Sequence, residues 1–260
     1  MNYLSLFSGA CGGDLAFQHL LTGFKCVGYV EIDDYCQRVI RQRQRDGLLD
    51  EAPIFGDIRT FISEGYAEAY QGMVDLITGG FPCKDISCAK STGAEGIEGK
   101  HSGLWNEMAE VVRQVRPKYV FVENSPILTI RGLGTVLKDL AEMGFNARWG
   151  CVSSAETGNI HKRNRIWIIS HTHGHGCKNE TSKKQNKAVK RWEVFTRWWG
   201  ELPVKRLDRS ICSIIDIERI YKSQINGNDD EISNQMDRLA ATGNAQDPIV
   251  AATAWEILNQ

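Results

Sequence analysis

The sequence predicts an α/β fold, a doubly wound and mostly parallel sheet with a second, small domain, and three observations carry that prediction. Runs of strand length rich in Val, Ile and Tyr recur along the first 170 residues. Segments with helical spacing separate them, and strands that alternate with helices assemble into a mostly parallel sheet. After residue 170 the alternation stops, and an apolar helical pattern returns only from about residue 236.

Taken in order, the predicted strands are Tyr3 to Phe7, Cys26 to Ile32, Val74 to Thr78, Lys118 to Glu123 and Arg165 to Ser170. Helical spacing occurs at Leu15 to Leu21, Tyr35 to Arg45, Leu104 to Val115 and Leu133 to Met143, the last followed by Gly144 as a glycine stop. From His171 onward, Lys178, Lys183, Lys184, Lys187, Lys190 and Arg191 precede Trp192 with almost no apolar residue among them, the composition of a linker or surface arm. Trp192 to Ile220 mixes basic and apolar residues, with Trp198 and Trp199 read as core of the small domain. Ser223 to Asn234 is polar and reads as loop, and Met236 to Leu258 is helical again after Pro248. The expected division is 1–170 with 236–260 as one domain and 171–235 as the other.

A chain of 260 residues can bury a substantial core. Its formal charge of -1 supplies no global basic field, so any nucleic-acid binding must come from a local cluster of Lys and Arg. The eight cysteines are scattered without the close pairs of a zinc site. Cys26, Cys36, Cys151 and Cys212 lie among apolar residues, where a reduced thiol packs well, and a reducing cytoplasm is the expected compartment. No apolar run reaches the roughly 18 residues of a membrane span, and no basic segment leads into a long apolar run at the start.

The chemistry-bearing residues sit where predicted strands end. Phe7-Ser8-Gly9-Ala10-Cys11-Gly12-Gly13 is a glycine-rich turn opening a helix, which lets the backbone approach a nucleotide-like ligand. By itself this loop would serve NAD equally, and a nicotinamide-dependent oxidoreductase stays open on it alone. The second strand ends at Glu31 with Ile32, where an acid meets ribose hydroxyls in such folds, and Gly56-Asp57-Ile58 offers an acid for an adenine amino group. Three such features suit an adenosine cofactor without phosphates, because carboxylates repel a pyrophosphate. S-adenosylmethionine, cationic at sulfur, meets that description. Gly80-Phe81-Pro82-Cys83 follows Val74 to Thr78, so a thiol emerges where a buried strand ends; Glu123-Asn124 closes another strand, and Arg163 and Arg165 open a third. His171, His173, His175 and Cys177 have the alternation of a linker rather than a ligand set, and no metal is expected.

In motifs and in their order these residues resemble the cytosine C5 DNA methyltransferase family of bacterial and phage type. Phe7-Ser8-Gly9 with Ala10 and Gly12 looks like its first cofactor motif, Gly80-Phe81-Pro82-Cys83 its nucleophile loop, Glu123-Asn124 its acidic motif, and Arg163 with Arg165 its paired-arginine motif. Arg238-Leu239 with Gly243-Asn244-Ala245 and Pro248 resembles the late motif that returns to the cofactor domain. The resemblance implies S-adenosylmethionine as cofactor, bound by Phe7, Ser8, Gly9, Ala10, Gly12, Glu31, Ile32, Asp57, Ile58, Gly80, Pro82 and Asn244. It implies Cys83 as the nucleophile that adds to cytosine C6, Glu123 as the group that holds or protonates N3, and Arg165 beside O2, with Arg163 its companion.

It further implies duplex DNA as partner, a flipped target base, Ser87 and the loop from Ala89 to Gly103 as the closing segment, and 171–235 as the target-recognition region. A monomer on DNA, in the cytoplasm of a bacterial or phage-infected cell and associated with its nucleoid, is expected. A relative acting on transfer RNA would keep the same catalytic residues; such relatives usually carry a Cys-Phe-Thr motif in the recognition region, and this chain has none there. A catalytically silent scaffold would not need Cys83, Glu123 and Arg165 together. Four positions depart from the family pattern: Cys11 where glycine is usual, Lys84 where glutamine is common, Ser125 where valine is common, and His161 where glutamine is frequent. A cation at Lys84 would depress the pKa of the neighbouring thiol.

Overall fold

The computed structural model describes residues 1–82, 104–157, 163–172 and 245–259. Strands β1 (Asn2–Leu6), β2 (Lys25–Val30), β3 (Ile54–Phe55), β4 (Leu76–Gly79) and β5 (Tyr119–Asn124) run parallel. β7 (Asn164–Thr172) pairs antiparallel with β5, and β6 (Phe145–Ser153) antiparallel with β7. The seven lie in the order β3-β2-β1-β4-β5-β7-β6. The order therefore turns outward in both directions from β1 and β4, and the crevice beyond the carboxyl ends of such a neighbouring pair is where doubly wound folds bind ligands.

Side chains alternate across the sheet with period two. Leu4, Leu6, Ile77, Val120, Val122, Ile166 and Ile168 enter one apolar layer, while Tyr3, Tyr29, Leu76, Phe121, Trp167 and Ile169 enter the other. The first layer is covered by α3 (Ile58–Ser63), α4 (Tyr66–Ala69), α5 (Leu104–Val115) and α7 (Leu133–Glu142), which follows the single turn α6 (Leu128–Arg131). The second is covered by α1 (Gly12–Leu15), a π-helical turn at Ala16–Leu20, and the C-terminal α8 (Pro248–Leu258). α2 (Asp34–Arg45) begins after Asp33, whose carboxylate accepts from Cys36 N.

α8 begins as its sequence suggests, with Asp247 accepting from Ile249 N at 3.0 Å and Pro248 in the first turn, where a missing N–H costs nothing. Its Trp255 sits edge-on to Phe17, Phe24 and Phe121 with centroids 5.4 to 5.5 Å apart, so the last helix is fixed on the sheet by the aromatic core. Gly144 takes the positive φ of 84° that its role as a helix stop requires.

Two expectations are corrected. His171, read as the start of the linker, pairs with Tyr119 and Asn146, so the sheet runs on through Thr172. Cys151, read as core filler, is exposed, because it lies on the edge strand β6 that the sequence did not reveal; Cys26 and Cys36 are buried as expected.

Candidate active site

β1 delivers the chain into a loop of unusual backbone. Phe7, Gly9 and Cys11 all have positive φ, at 51°, 53° and 55°. That conformation favours glycine, and the non-glycine Cys11 costs about 1 kcal/mol there. The twist aims Gly9 N at Glu31 Oε2, 2.6 Å away, while Glu31 Oε1 accepts from Asp33 N at 2.9 Å. Glu31 thus joins the glycine loop to the end of β2, and burial lifts its carboxyl above the usual range.

A cavity of about 480 Å³ opens beyond the carboxyl ends of the central strands. Its first half is walled by Phe7, Gly9, Glu31, Ile32, Asp57 and Ile58; its second by Gly80, Pro82, Glu123, Asn124, Arg163 and Arg165. Such a volume suits a nucleoside-sized ligand. Ile32 is exposed and offers an apolar face, whereas Ile58 is mostly buried and shows the cavity only its edge. Asp57 caps α3 through Arg59 N at 2.9 Å, and its second oxygen lies 3.9 Å from Arg59 Nη1.

In the second half, Glu123, the penultimate residue of β5, is buried. Arg165, near the start of β7, places Nε 2.8 Å from Glu123 Oε1. The antiparallel pairing of β5 with β7 is what brings these two together, setting Glu123 opposite Trp167 and Asn124 opposite Ile166. Burial raises the Glu123 carboxyl, and the guanidiniums of Arg165 and Arg163 pull it back down without cancelling that rise. The result is a carboxyl that holds a proton more readily than a free glutamate does.

Asn124 fixes the neighbouring loop. Its Nδ2 donates to Phe81 O at 3.1 Å and its Oδ1 accepts from Ser125 N at 2.7 Å, so the exit of β5 is tied to the residue two before Cys83. Phe81 is buried against Trp105, whose indole donates to Asp139 at 2.7 Å. Cys83, Lys84, Ser87 and the segment to Gly103 lie outside the described residues, as do His161, Lys162 and Asn244. The two residues that bracket the segment, Pro82 and Leu104, both line the cavity.

Of the expected cofactor residues, Ser8 and Ala10 line a smaller cavity of about 40 Å³ behind the loop, and Gly12 lines neither. Two residues of this region were not singled out from the sequence. Gln246 lines the smaller cavity beside Gly13 of the glycine-rich turn, and so does Asp14, a buried acid beneath the loop. Ser5 Oγ donates to Asp14 Oδ2 at 3.1 Å and Ser8 Oγ to Ser5 Oγ at 2.9 Å, so the chain of hydroxyls runs from Asp14 to the loop. The available signal was an acid directly after two glycines in an apolar run.

Burial lifts the Asp14 carboxyl from 3.8 to about 6. Because the folded value lies above the ordinary one, its neutral form is favoured by folding: the contribution of Asp14 to stability is fully present below about pH 4, is lost as pH rises to about 6, and is then level. The loss over that window is roughly 3 kcal/mol at 1.36 kcal/mol per pH unit. Asp14→Asn is therefore expected to be more stable than the wild type at pH 7.5, by roughly 1 to 3 kcal/mol, and equal to it near pH 4. Urea unfolding at both pH values checks this, and parallel curves would contradict it.

Comparison with known proteins agrees with this geometry. The model of the C-5 cytosine-specific DNA methylase family matches residues 1–250. Type II methyltransferase M.CviJI of Paramecium bursaria Chlorella virus IL3A is 32% identical over 169 residues, 64% of this chain and 42% of that protein. Type II methyltransferase M.Sau3AI of Staphylococcus aureus is 34% identical over 105 residues, 37% of this chain and 26% of that protein. The chain thus spans less than half the length of either relative. Among solved structures, Spodoptera frugiperda DNMT2 in a mutant form superposes with a TM-score of 0.53 at 14% identity, over 70% of this chain and 53% of that one. At that identity the likeness concerns the fold. No helix among the described residues is long and apolar enough to cross a membrane.

Proposed function

Because the chain belongs to the C-5 cytosine-specific DNA methylase family, we propose that it transfers a methyl group from S-adenosylmethionine to C5 of a flipped-out cytosine in duplex DNA. One observation carries this reading: a single cavity whose acid-lined half continues into a half where a buried carboxyl faces two arginines. The acids of the first half disfavour a pyrophosphate and suit an adenosine whose ribose hydroxyls reach Glu31 and whose base lies by Ile32 and Asp57. When bound, S-adenosylmethionine supplies an electrophilic methyl group on a cationic sulfur.

Cytosine C5 is too weak a nucleophile to take that methyl group unaided. The thiolate of Cys83 adds to C6, and the ring electrons move toward C5 and N3. Glu123, carrying or sharing its proton with N3, offsets the charge that gathers in the ring, and Arg165 faces O2. After transfer, loss of the C5 proton to a base expels Cys83 and restores the aromatic ring. Asn124 holds Phe81, and through it the start of the Cys83 loop, against the end of β5.

The region that follows β7, to residue 235, supplies target recognition, and its Lys183, Lys184 and Lys187 meet phosphates. The protein works as a monomer on DNA in the cytoplasm of a bacterial or phage-infected cell, at the nucleoid, in restriction-modification or an allied role. The test is incubation with methyl-labelled S-adenosylmethionine and mixed-sequence duplex DNA, with RNA alongside. Label is expected in DNA as 5-methylcytosine and absent with Cys83→Ser. Label in RNA alone, or in neither, would contradict the reading.

A further inference from the structure

The C-terminal segment brings Gln246 into the smaller cavity between the glycine loop and the end of β5. A Cβ built on Gly13 would lie 2.1 Å from Gln246 Oε1, and one on Gly80 would lie 3.1 Å from Nε2 and 2.7 Å from Glu123 Oε2. The amide therefore fills the gap between Gly13, in the first turn of α1, and Gly80, directly after β4. Its side chain hydrogen-bonds Glu123 and favours the ionised form of that carboxyl. With Arg165 Nε on Oε1 at 2.8 Å, Glu123 is gripped from two elements far apart in sequence, β7 and the segment preceding α8.

We propose that Gln246 is a positioning residue: its amide, wedged between Gly13 and Gly80, fixes the orientation of the Glu123 carboxyl toward the base. This assignment rests on the methyl-transfer reading, in which Glu123 meets cytosine N3. A carboxyl held only by Arg165 could swing about that contact. It would also lose a donor that stabilises its charge, so its pKa would climb further. Among the described residues, Arg165, Arg163 and Gln246 act on the Glu123 carboxyl, so removing the amide leaves the two cations in place.

Gln246→Met keeps the length of the side chain and removes its donor. Its single-turnover methyl transfer on duplex DNA is expected to fall about tenfold, the cost of one hydrogen bond to a charged group. The limb of the pH profile that reports Glu123 should move to higher pH by about one unit. Affinity for S-adenosylhomocysteine, read by calorimetry, should stay within about threefold, since the amide touches the back of the loop and not its ligand face. Gly13→Ala pushes the same amide away through a flexible side chain, so it should reproduce the pH shift, and Gln246→Met added to it should change nothing more.

The Glu123 carboxyl titration, followed by 13C NMR and assigned with Glu123→Gln, reads the contact without turnover. A wild type inactive on DNA whose Glu123 titration moves in Gln246→Met contradicts the methyl-transfer reading and leaves the contact standing. An active wild type whose pH profile and Glu123 titration are unchanged in both Gln246→Met and Gly13→Ala overturns the role of Gln246. Should Gln246→Met not fold, Gly13→Ala alone decides.

Discussion

Glu123→Gln is expected to lower methyl transfer by about two to four orders of magnitude while the protein stays folded. The amide has the shape of the carboxyl and fits the same buried space at the end of β5. It cannot deliver a proton to N3, and it cannot form the ion pair with Arg165, whose Nε lies 2.8 Å from Oε1 in the wild type. Arg165 would be left to seek other acceptors, such as Asn164 O, which it already meets at 2.8 Å. The loss should fall on kcat, with affinity for S-adenosylhomocysteine little changed, because Glu123 belongs to the base half of the cavity. The pH limb set by Glu123 should vanish. Single-turnover rates across pH 5.5 to 9 check this, and a variant within about tenfold of the wild type, with the limb retained, would remove Glu123 from the chemistry.

Gly80→Ala is expected to cost at least about a hundredfold in rate, since misplacing a reacting group by an ångström has that effect. The added methyl would stand 2.7 Å from Glu123 Oε2, so one of the two must move. Glu123 has little room to retreat: Arg165 holds its other oxygen, and Gln246 stands 3.1 Å from the same methyl. The neighbouring Gly79→Ala fails for another reason. There the methyl would lie 2.5 Å from the backbone oxygen of Leu6 on β1, and relief demands separating paired strands. Gly80→Ala should therefore stay folded, with a loss of about 1 to 3 kcal/mol, and Gly79→Ala should lose more stability than that. Thermal melts beside rate measurements separate the two. Equal melting with near wild-type rates for Gly80→Ala would show that the grip on Glu123 is looser than the distances imply.

The parallel core of the fold was legible because it is buried on both faces. β1, β2, β4 and β5 are runs of Val, Ile, Leu and Tyr that the sequence displays within a residue or two, and α5 falls on Leu104–Val115 as its spacing predicted. β6 was not legible because it is an edge strand: only its two ends are buried, while Asn146, Trp149 and Cys151 face outward around Gly150. β3 has only two residues, and α3, α4 and α6 run six residues or fewer, too short for a period to show. The antiparallel entry of β7 between β5 and β6 leaves no trace in local composition, yet it is what sets Arg165 against Glu123. Glu31, Glu123 and Arg165 could be named from motif order. Gln246 could not, because its position is decided by how the C-terminal segment returns, and a glutamine two residues before Pro248 carries no signal of its own.

The central claim is that the thiol of Cys83 becomes covalently bonded to cytosine while a methyl group is transferred. It is tested most directly by incubating the protein with S-adenosylmethionine and duplex DNA that carries 5-fluorocytosine in place of cytosine. Fluorine cannot leave as a cation, so the bond between Cys83 and C6 cannot be undone once the methyl group has arrived. The predicted result is a denaturation-resistant protein–DNA adduct that requires S-adenosylmethionine, maps to Cys83 and is missing with Cys83→Ser. An adduct that survives Cys83→Ser, or methylated DNA formed with no adduct at all, would contradict the account.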